Sequence, residues 1–100
     1  TDLLDAQASA IRAEREVMLS SLSEMEGVEA FPSAANFILF RVTKNGLTGT
    51  QIFERLLAQK VLVKNVGKMH ALLDNCLRVT VSTPAENASF LAALKSSLNS

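Results

Sequence analysis

Lys64 and Arg78 are the two residues whose type and spacing most suggest chemistry. Each lies in a short stretch of alternating character. Val61 and Val63 oppose Lys64, and Leu77, Val79 and Val81 oppose Arg78, Thr80 and Ser82. If both apolar sets face one core, the two cations emerge on the same side of a sheet. There they repel each other unless an anion lies between them. The planar fork of arginine suits a carboxylate or a phosphate, and lysine adds a point charge. The pair is therefore a candidate anion site. A solvated strand face, or an ion pair from Arg78 to Asp74, is the plainer alternative, and spacing alone weighs toward it.

Other polar residues suggest less. His70 is the sole histidine and falls in a loop, where solvation is expected; acid–base work would need an orienting partner that the sequence does not supply. Asn36 precedes an apolar strand and could cap a turn or touch a ligand, the turn role being favoured. Asn75 reads as the residue that brings a loop into a strand. Arg41 interrupts an apolar run, so a structural ion pair is expected. Cys76 is the only cysteine, which excludes an intramolecular disulfide and suggests a small buried hydrophobe. No Ser/Cys–His–acid set and no metal-ligand spacing is evident. Gly27, Gly46, Gly49 and Gly67 build no phosphate-cradling loop.

Bulk properties narrow the ligand class. One hundred residues make one domain, and 48% hydrophobic residues exceed what disorder allows. Ten basic and ten acidic side chains cancel. Nucleic-acid and anionic membrane surfaces, which attract excess positive charge, are thus not expected as partners. No apolar run approaches the roughly 18 residues of a membrane span, no signal peptide is recognised, and a reducing cytoplasmic location is expected.

The elements that must position these residues follow from periodicity. A helix is expected over 2–26, with Leu4, Ala8, Ile11, Met18, Leu22 and Met25 on one face, Asp2 near its start and Gly27 at its end. Its first half is rich in alanine, so its face should pack closely on something beyond this chain. Strands are expected at 28–31, 36–42, 61–64 and 77–82. Pro32 to Ala35 and Lys44 to Gly46 form turns. The strand at 36–42 is apolar on both sides and should be central. Thr48 and Gln51 form a capping box for a second helix with Ile52, Phe53, Leu56 and Leu57 on its apolar face. Residues 65–75 form a loop. A last helix starts at Thr83 and Pro84, with Glu86 reaching back to the cap amide and Phe90, Leu91, Leu94 and Leu98 buried. The expected class is α+β, a small and mostly antiparallel sheet with helices on one face and the other face only partly covered.

Four stretches in order, FPSAANFILFRV (31–42), QIFERLLAQKVLVKN (51–65), NCLRVTVSTPAEN (75–87) and FLAALKSSL (90–98), resemble the C-terminal small domain of histidinol-phosphate aminotransferases. The resemblance implies residues 1–27 as a leading helix and 28–100 as the small domain, together one compact unit. It implies a fold type I enzyme, dependent on pyridoxal phosphate, that moves an amino group between histidinol phosphate and 2-oxoglutarate in histidine biosynthesis. It also implies a homodimer and a large domain of the same protein as partners. The arginine that grips the substrate's anionic group corresponds to Arg78. The family's second phosphate-binding arginine corresponds to Lys64, which keeps the charge but lacks the bidentate fork. Ser82 stands where the family has glycine.

The cofactor-anchoring lysine of the family lies upstream, and none of Lys44, Lys60, Lys64, Lys68 and Lys95 sits in its motif. Two alternatives stay open: the small domain of a related pyridoxal-phosphate-dependent decarboxylase, and a free-standing ligand-binding module. The resemblance predicts that these 100 residues alone neither bind the cofactor usefully nor transaminate. Absorbance spectra of the isolated chain with added pyridoxal phosphate should show only the free cofactor; a protein-linked band would contradict this.

Overall fold

The computed structural model describes residues 2–32 and 36–99, with side chains from Ser9 onward. The order is α1 (Asp2–Glu24), β1 (Val28–Phe31), β2 (Phe37–Val42), α2 (Gly49–Ala58), β3 (Lys64–Asn65), a 3-10 turn (Ala71–Leu73), β4 (Cys76–Thr80) and α3 (Pro84–Leu98). The four strands form one antiparallel sheet in the order β1-β2-β4-β3. The expected α+β class holds, and β2 and β4 are its two central strands.

Alternation sorts the strand residues into two faces. Val28, Ile38, Phe40, Val42, Leu77 and Val79 turn toward the helices and join Met18 and Leu22 of α1, Ile52 and Leu56 of α2, and Phe90, Leu94 and Leu98 of α3. Phe40 and Phe90 meet edge to face at 5.7 Å between centroids, a favourable arrangement for aromatic pairs. The opposite face carries Glu29, Phe31, Phe37, Leu39, Arg41, Arg78 and Lys64. The three aromatic or aliphatic members there are half-buried and lie outside the core and the side chains packed on it.

Local chemistry fixes the helix ends. Thr48 and Gln51 form the anticipated capping box. Thr83 Oγ1 accepts from the Glu86 amide at 3.2 Å. Three side chains close the C-terminus of α3: Lys44 donates to the Leu98 carbonyl, Arg55 to the Ser97 carbonyl and Gln59 to Ser97 Oγ. Cations there also suit the negative end of the helix dipole. Gly27 ends the first helix turn region with φ +88, and a Cβ at that position would meet Lys44 Cβ at 2.7 Å.

Several expectations need correction. Helix α1 stops at Glu24, where the chain turns into Gly27. The third strand is Lys64–Asn65, not 61–64; Leu62 is 78% exposed and the ladder begins only where β4 offers a partner. Leu57 lies off the buried face of α2 at 46% exposure. Glu86 accepts from the Ser82 hydroxyl instead of the Thr83 amide. Within the expected loop over 65–75, Asn65 pairs in the sheet and Ala71–Leu73 makes a 3-10 turn. The expected turn at 32–35 and the capping role of Asp2 fall outside the described residues or side chains.

The chain enters β4 through Asn75, which has φ +60. Its Oδ1 accepts from the Gly49 amide at 3.0 Å, and its carbonyl accepts from the Val42 amide at 2.9 Å. Gly49 lies so close that a Cβ would come within 2.8 Å of the Asn75 Cα. Gly49→Ala must therefore push backbone against backbone. We expect a loss of about 1–3 kcal/mol, the usual cost of overpacking, read as a lower urea midpoint; an unchanged midpoint would contradict this close approach.

Candidate anion site on the open face of the sheet

Register places the two candidate cations side by side. Lys64 on β3 lies directly opposite Arg78 on β4, and Leu39 on β2 lies opposite Arg78 on the other side. Residues opposite one another in an antiparallel pair have Cβ atoms about 4.5–5.5 Å apart, and like charges so placed are destabilising. Lys64 is exposed and Arg78 is half-buried. Nothing acidic offsets them along that row of the sheet, which runs Phe31, Leu39, Arg78, Lys64. The one strand acid on this face, Glu29, lies opposite Arg41 in the neighbouring row.

The two arginines of this face differ in what they touch. Arg41 is engaged: its Nε donates to the Asp74 carbonyl at 3.2 Å and its Nη2 to the Leu72 carbonyl at 2.5 Å. Its guanidinium also lies 5.4 Å from the centroid of the Phe31 ring. Arg41 thus anchors the 71–74 segment through carbonyls, a correction to the expected ion pair. Arg78 has its guanidinium carbon 4.9 Å from the centroid of the Phe37 ring. Among the described residues its N–H groups meet no hydrogen-bond or carboxylate partner, so the alternative of an Arg78–Asp74 ion pair is not what the structure contains.

The remaining sequence candidates serve the frame. His70 is exposed and its Nδ1 accepts from the Leu72 amide at 3.0 Å, capping the 3-10 turn. Cys76 is fully buried. Asn36 is exposed just ahead of β2, and its carbonyl accepts from the Val81 amide at 2.9 Å; it lies at the Phe37–Thr80 end of the sheet, not in the row of Arg78 and Lys64. Among the described residues no group of three or more His, Cys, Asp or Glu is placed to hold a metal.

Two features went unread in the sequence. Phe37 looked like strand core, yet its ring lies against Arg78. Asn87 is 3% exposed and ties three places together. Its Oδ1 accepts from the Ser82 amide, and its Nδ2 donates to the Ser82 carbonyl and to Glu14 Oε1 of α1. It locks the β4–α3 corner to the leading helix. The only available signal was an asparagine in the first turn of a helix that caps itself elsewhere.

Neither cation lines either of two cavities. One of about 520 Å³ opens between α1 and α3 near Met25 and Leu91, and another of about 460 Å³ lies by Lys60, Thr80 and Glu86. The cation pair instead occupies an open face, which another body would have to cover to make it a pocket.

Comparison with known proteins places this geometry in context. No family model matches the chain. Over 97 residues it is 59% identical to histidinol-phosphate aminotransferase 1 of Ralstonia nicotianae, covering 97% of this chain and 25% of that protein. It is 57% identical over 96 residues to histidinol-phosphate aminotransferase 2 of Cupriavidus pinatubonensis, again covering 25% of the relative. The chain thus spans about a quarter of the length of the curated relatives it matches. Among solved structures it is similar to the histidinol-phosphate aminotransferase of Clostridium acetobutylicum, with TM-score 0.80, 26% identity, and coverage of 89% of this chain and 26% of that one. The L-threonine-O-3-phosphate decarboxylase of Porphyromonas gingivalis matches with TM-score 0.80 and 26% identity, over 89% of this chain and 27% of that one.

Arg41 and Arg78 should respond differently to removal. In Arg41→Ala, amide exchange over residues 71–75 should accelerate roughly tenfold, the order expected for losing a charged hydrogen bond of about 1.5 kcal/mol at a partly exposed site. Arg78→Ala should leave that segment unchanged. Equal effects from both variants would contradict the division of roles.

Proposed function

We propose that this chain, which carries the sequence and fold of the small domain of histidinol-phosphate aminotransferases, supplies the anion-binding side chains of a two-domain active site. The reaction proposed for the intact protein moves an amino group between L-histidinol phosphate and 2-oxoglutarate. One observation carries the reading: Arg78 and Lys64 stand opposite each other on the open face, and the guanidinium has no acidic partner among the described residues. A phosphate or carboxylate between them turns a like-charge repulsion into two charge-assisted contacts. Arg78 can grip either anion with its fork, which one site must do if it accepts histidinol phosphate and 2-oxoglutarate in turn. Lys64 adds charge from the edge strand and tolerates both shapes because it imposes no planar geometry. Asn36 is a secondary candidate for ligand contact from the end of β2.

Pyridoxal phosphate is proposed as the cofactor of the intact protein, where its ring serves as the electron sink for amino-group chemistry. Two of this chain's lysines are poorly placed to anchor it. The Lys44 ammonium is held by the Leu98 carbonyl, and Lys64 lies in a cationic row without a carboxylate to pair a pyridine nitrogen. The cofactor is therefore assigned to the missing large domain, the proposed covalent partner of this one. Residues 1–27 and 28–100 are proposed as a leading helix and the small domain of one unit, supported by Met18 and Leu22 of α1 in the common core. A homodimeric parent in the cytoplasm completes the reading. No helix among the described residues is long and apolar enough to cross a membrane.

A second reading has a specific observation behind it. The Porphyromonas gingivalis decarboxylase matches the fold as well as the Clostridium aminotransferase does, and its name also specifies a phosphorylated amino acid. The anion site serves either reaction; the 59% identity to the Ralstonia aminotransferase favours transamination. The length of the gene product separates both from a free-standing module.

The test is steady-state kinetics of the full-length protein. Arg78→Ala should raise KM for histidinol phosphate at least tenfold, the order expected for losing a charged hydrogen bond of about 1.5–3 kcal/mol, with the cofactor spectrum unchanged. Arg78→Lys should recover part of the loss. An unaltered KM in Arg78→Ala would overturn the assignment.

A further inference from the structure

We propose that Phe37 is a positioning residue for the anion site: its ring holds the face of the Arg78 guanidinium and keeps the N–H edges free of the protein. The inference rests on the anion-binding reading of Arg78 and adds a residue that acts through it.

Three observations converge on Phe37. The first is its face. Phe37 alternates away from Ile38, Phe40 and Val42, and it belongs neither to the buried core nor to the side chains packed against it. Its half-burial is not accounted for by core packing; like Phe31, which has Arg41 over its ring, it has a guanidinium against it. The second is its register. Phe37 lies opposite Thr80, and Leu39 lies opposite Arg78, so the ring and the guanidinium are diagonal neighbours across β2 and β4. Diagonal neighbours are within reach only for long or aromatic side chains. The third is the contact itself, with the Arg78 guanidinium carbon 4.9 Å from the ring centroid.

The chemistry explains why a ring is useful there. A guanidinium carries five N–H donors in one plane and has no acceptor. Held by backbone carbonyls, as Arg41 is, it spends those donors on the protein. Held by the negative face of an aromatic ring, it is attracted through the quadrupole and keeps its in-plane donors. Lys64, opposite on β3, repels Arg78 toward β2 and so toward Phe37. The ring and the lysine together narrow the positions that the fork adopts before an anion arrives. Less side-chain freedom then has to be lost on binding.

The experiment is kinetic and uses the full-length protein. Phe37→Leu keeps an apolar side chain without a quadrupole, and Phe37→Tyr restores the ring. Pentafluorophenylalanine at position 37 keeps the shape and removes the negative face, so it tests the ring even if Phe37→Leu fails to fold. Phe37→Leu and the fluorinated residue should raise KM for histidinol phosphate about two- to fivefold, the worth of a partly exposed cation–π contact. They should leave kcat and the cofactor spectrum near the starting values, and Phe37→Tyr should restore KM. In an Arg78→Ala background the same changes should add nothing. Wild-type KM for the fluorinated protein, or equal losses with and without Arg78, would overturn the proposal. If Arg78→Ala itself leaves KM unchanged, the anion-site reading fails first; if only the Phe37 changes are silent, Arg78 remains the anion ligand and Phe37 does not position it.

Discussion

Two like charges facing each other across neighbouring strands are the feature around which this domain makes sense. The ladder that pairs Lys64 with Arg78 is fixed by backbone hydrogen bonding and by the burial of Leu77 and Val79 on the other face. A slip of one residue would turn those core side chains outward, so the register cannot relax to separate the cations. The repulsion is thus built into the fold, and an anion at the open face would relieve it. Arg41 on the same face shows the alternative outcome, a cation consumed by two carbonyls and spent on holding a loop.

The rest of the structure holds β4 in place. At its start, Asn75 adopts a left-handed backbone and is clamped between Gly49 and Val42. At its end, Asn87 fastens Ser82 and reaches Glu14 on α1. Along its length, the inward residues meet α2 and α3 in a core containing Ile52, Leu56, Phe90 and Leu94. Helix α1 reaches past this core. Its first buried described side chain is Met18, while Ser9, Ala10, Arg12 and Ala13 are exposed, and the molecule is accordingly long at 47 × 26 × 22 Å. A helix with such a thin apolar face needs a further surface to pack on, in keeping with a chain that spans a quarter of its relatives.

Much of this was legible because strong local signals agreed with the tertiary fold. The capping box at Thr48 and the alternation around Phe37–Val42 and Leu77–Thr80 each name one structure only, although the strands are Phe37–Val42 and Cys76–Thr80 where the periodicity suggests 36–42 and 77–82. Alternation also put Lys64 and Arg78 on one face, although the third strand is shorter and later than 61–64 suggests. What escaped depends on neighbours distant in sequence. Sequence could not tell that Arg41 would find the carbonyls of Leu72 and Asp74 instead of an acid, since those carbonyls are exposed only by the turn at Ala71–Leu73. Glu86 was expected at the Thr83 amide, but the Ser82 hydroxyl, unavailable in a glycine, competes for it. Phe37 and Asn87 were hidden because an aromatic in a strand and an asparagine in a helix carry no mark of the partner they will meet.

A crystal structure of the full-length protein with bound histidinol phosphate probes the open face most directly. The phosphate oxygens should lie within hydrogen-bonding distance of the Arg78 guanidinium and close to the Lys64 ammonium, with Arg41 still on its two carbonyls. A phosphate bound elsewhere, with Arg78 touching only Phe37, would contradict the assignment.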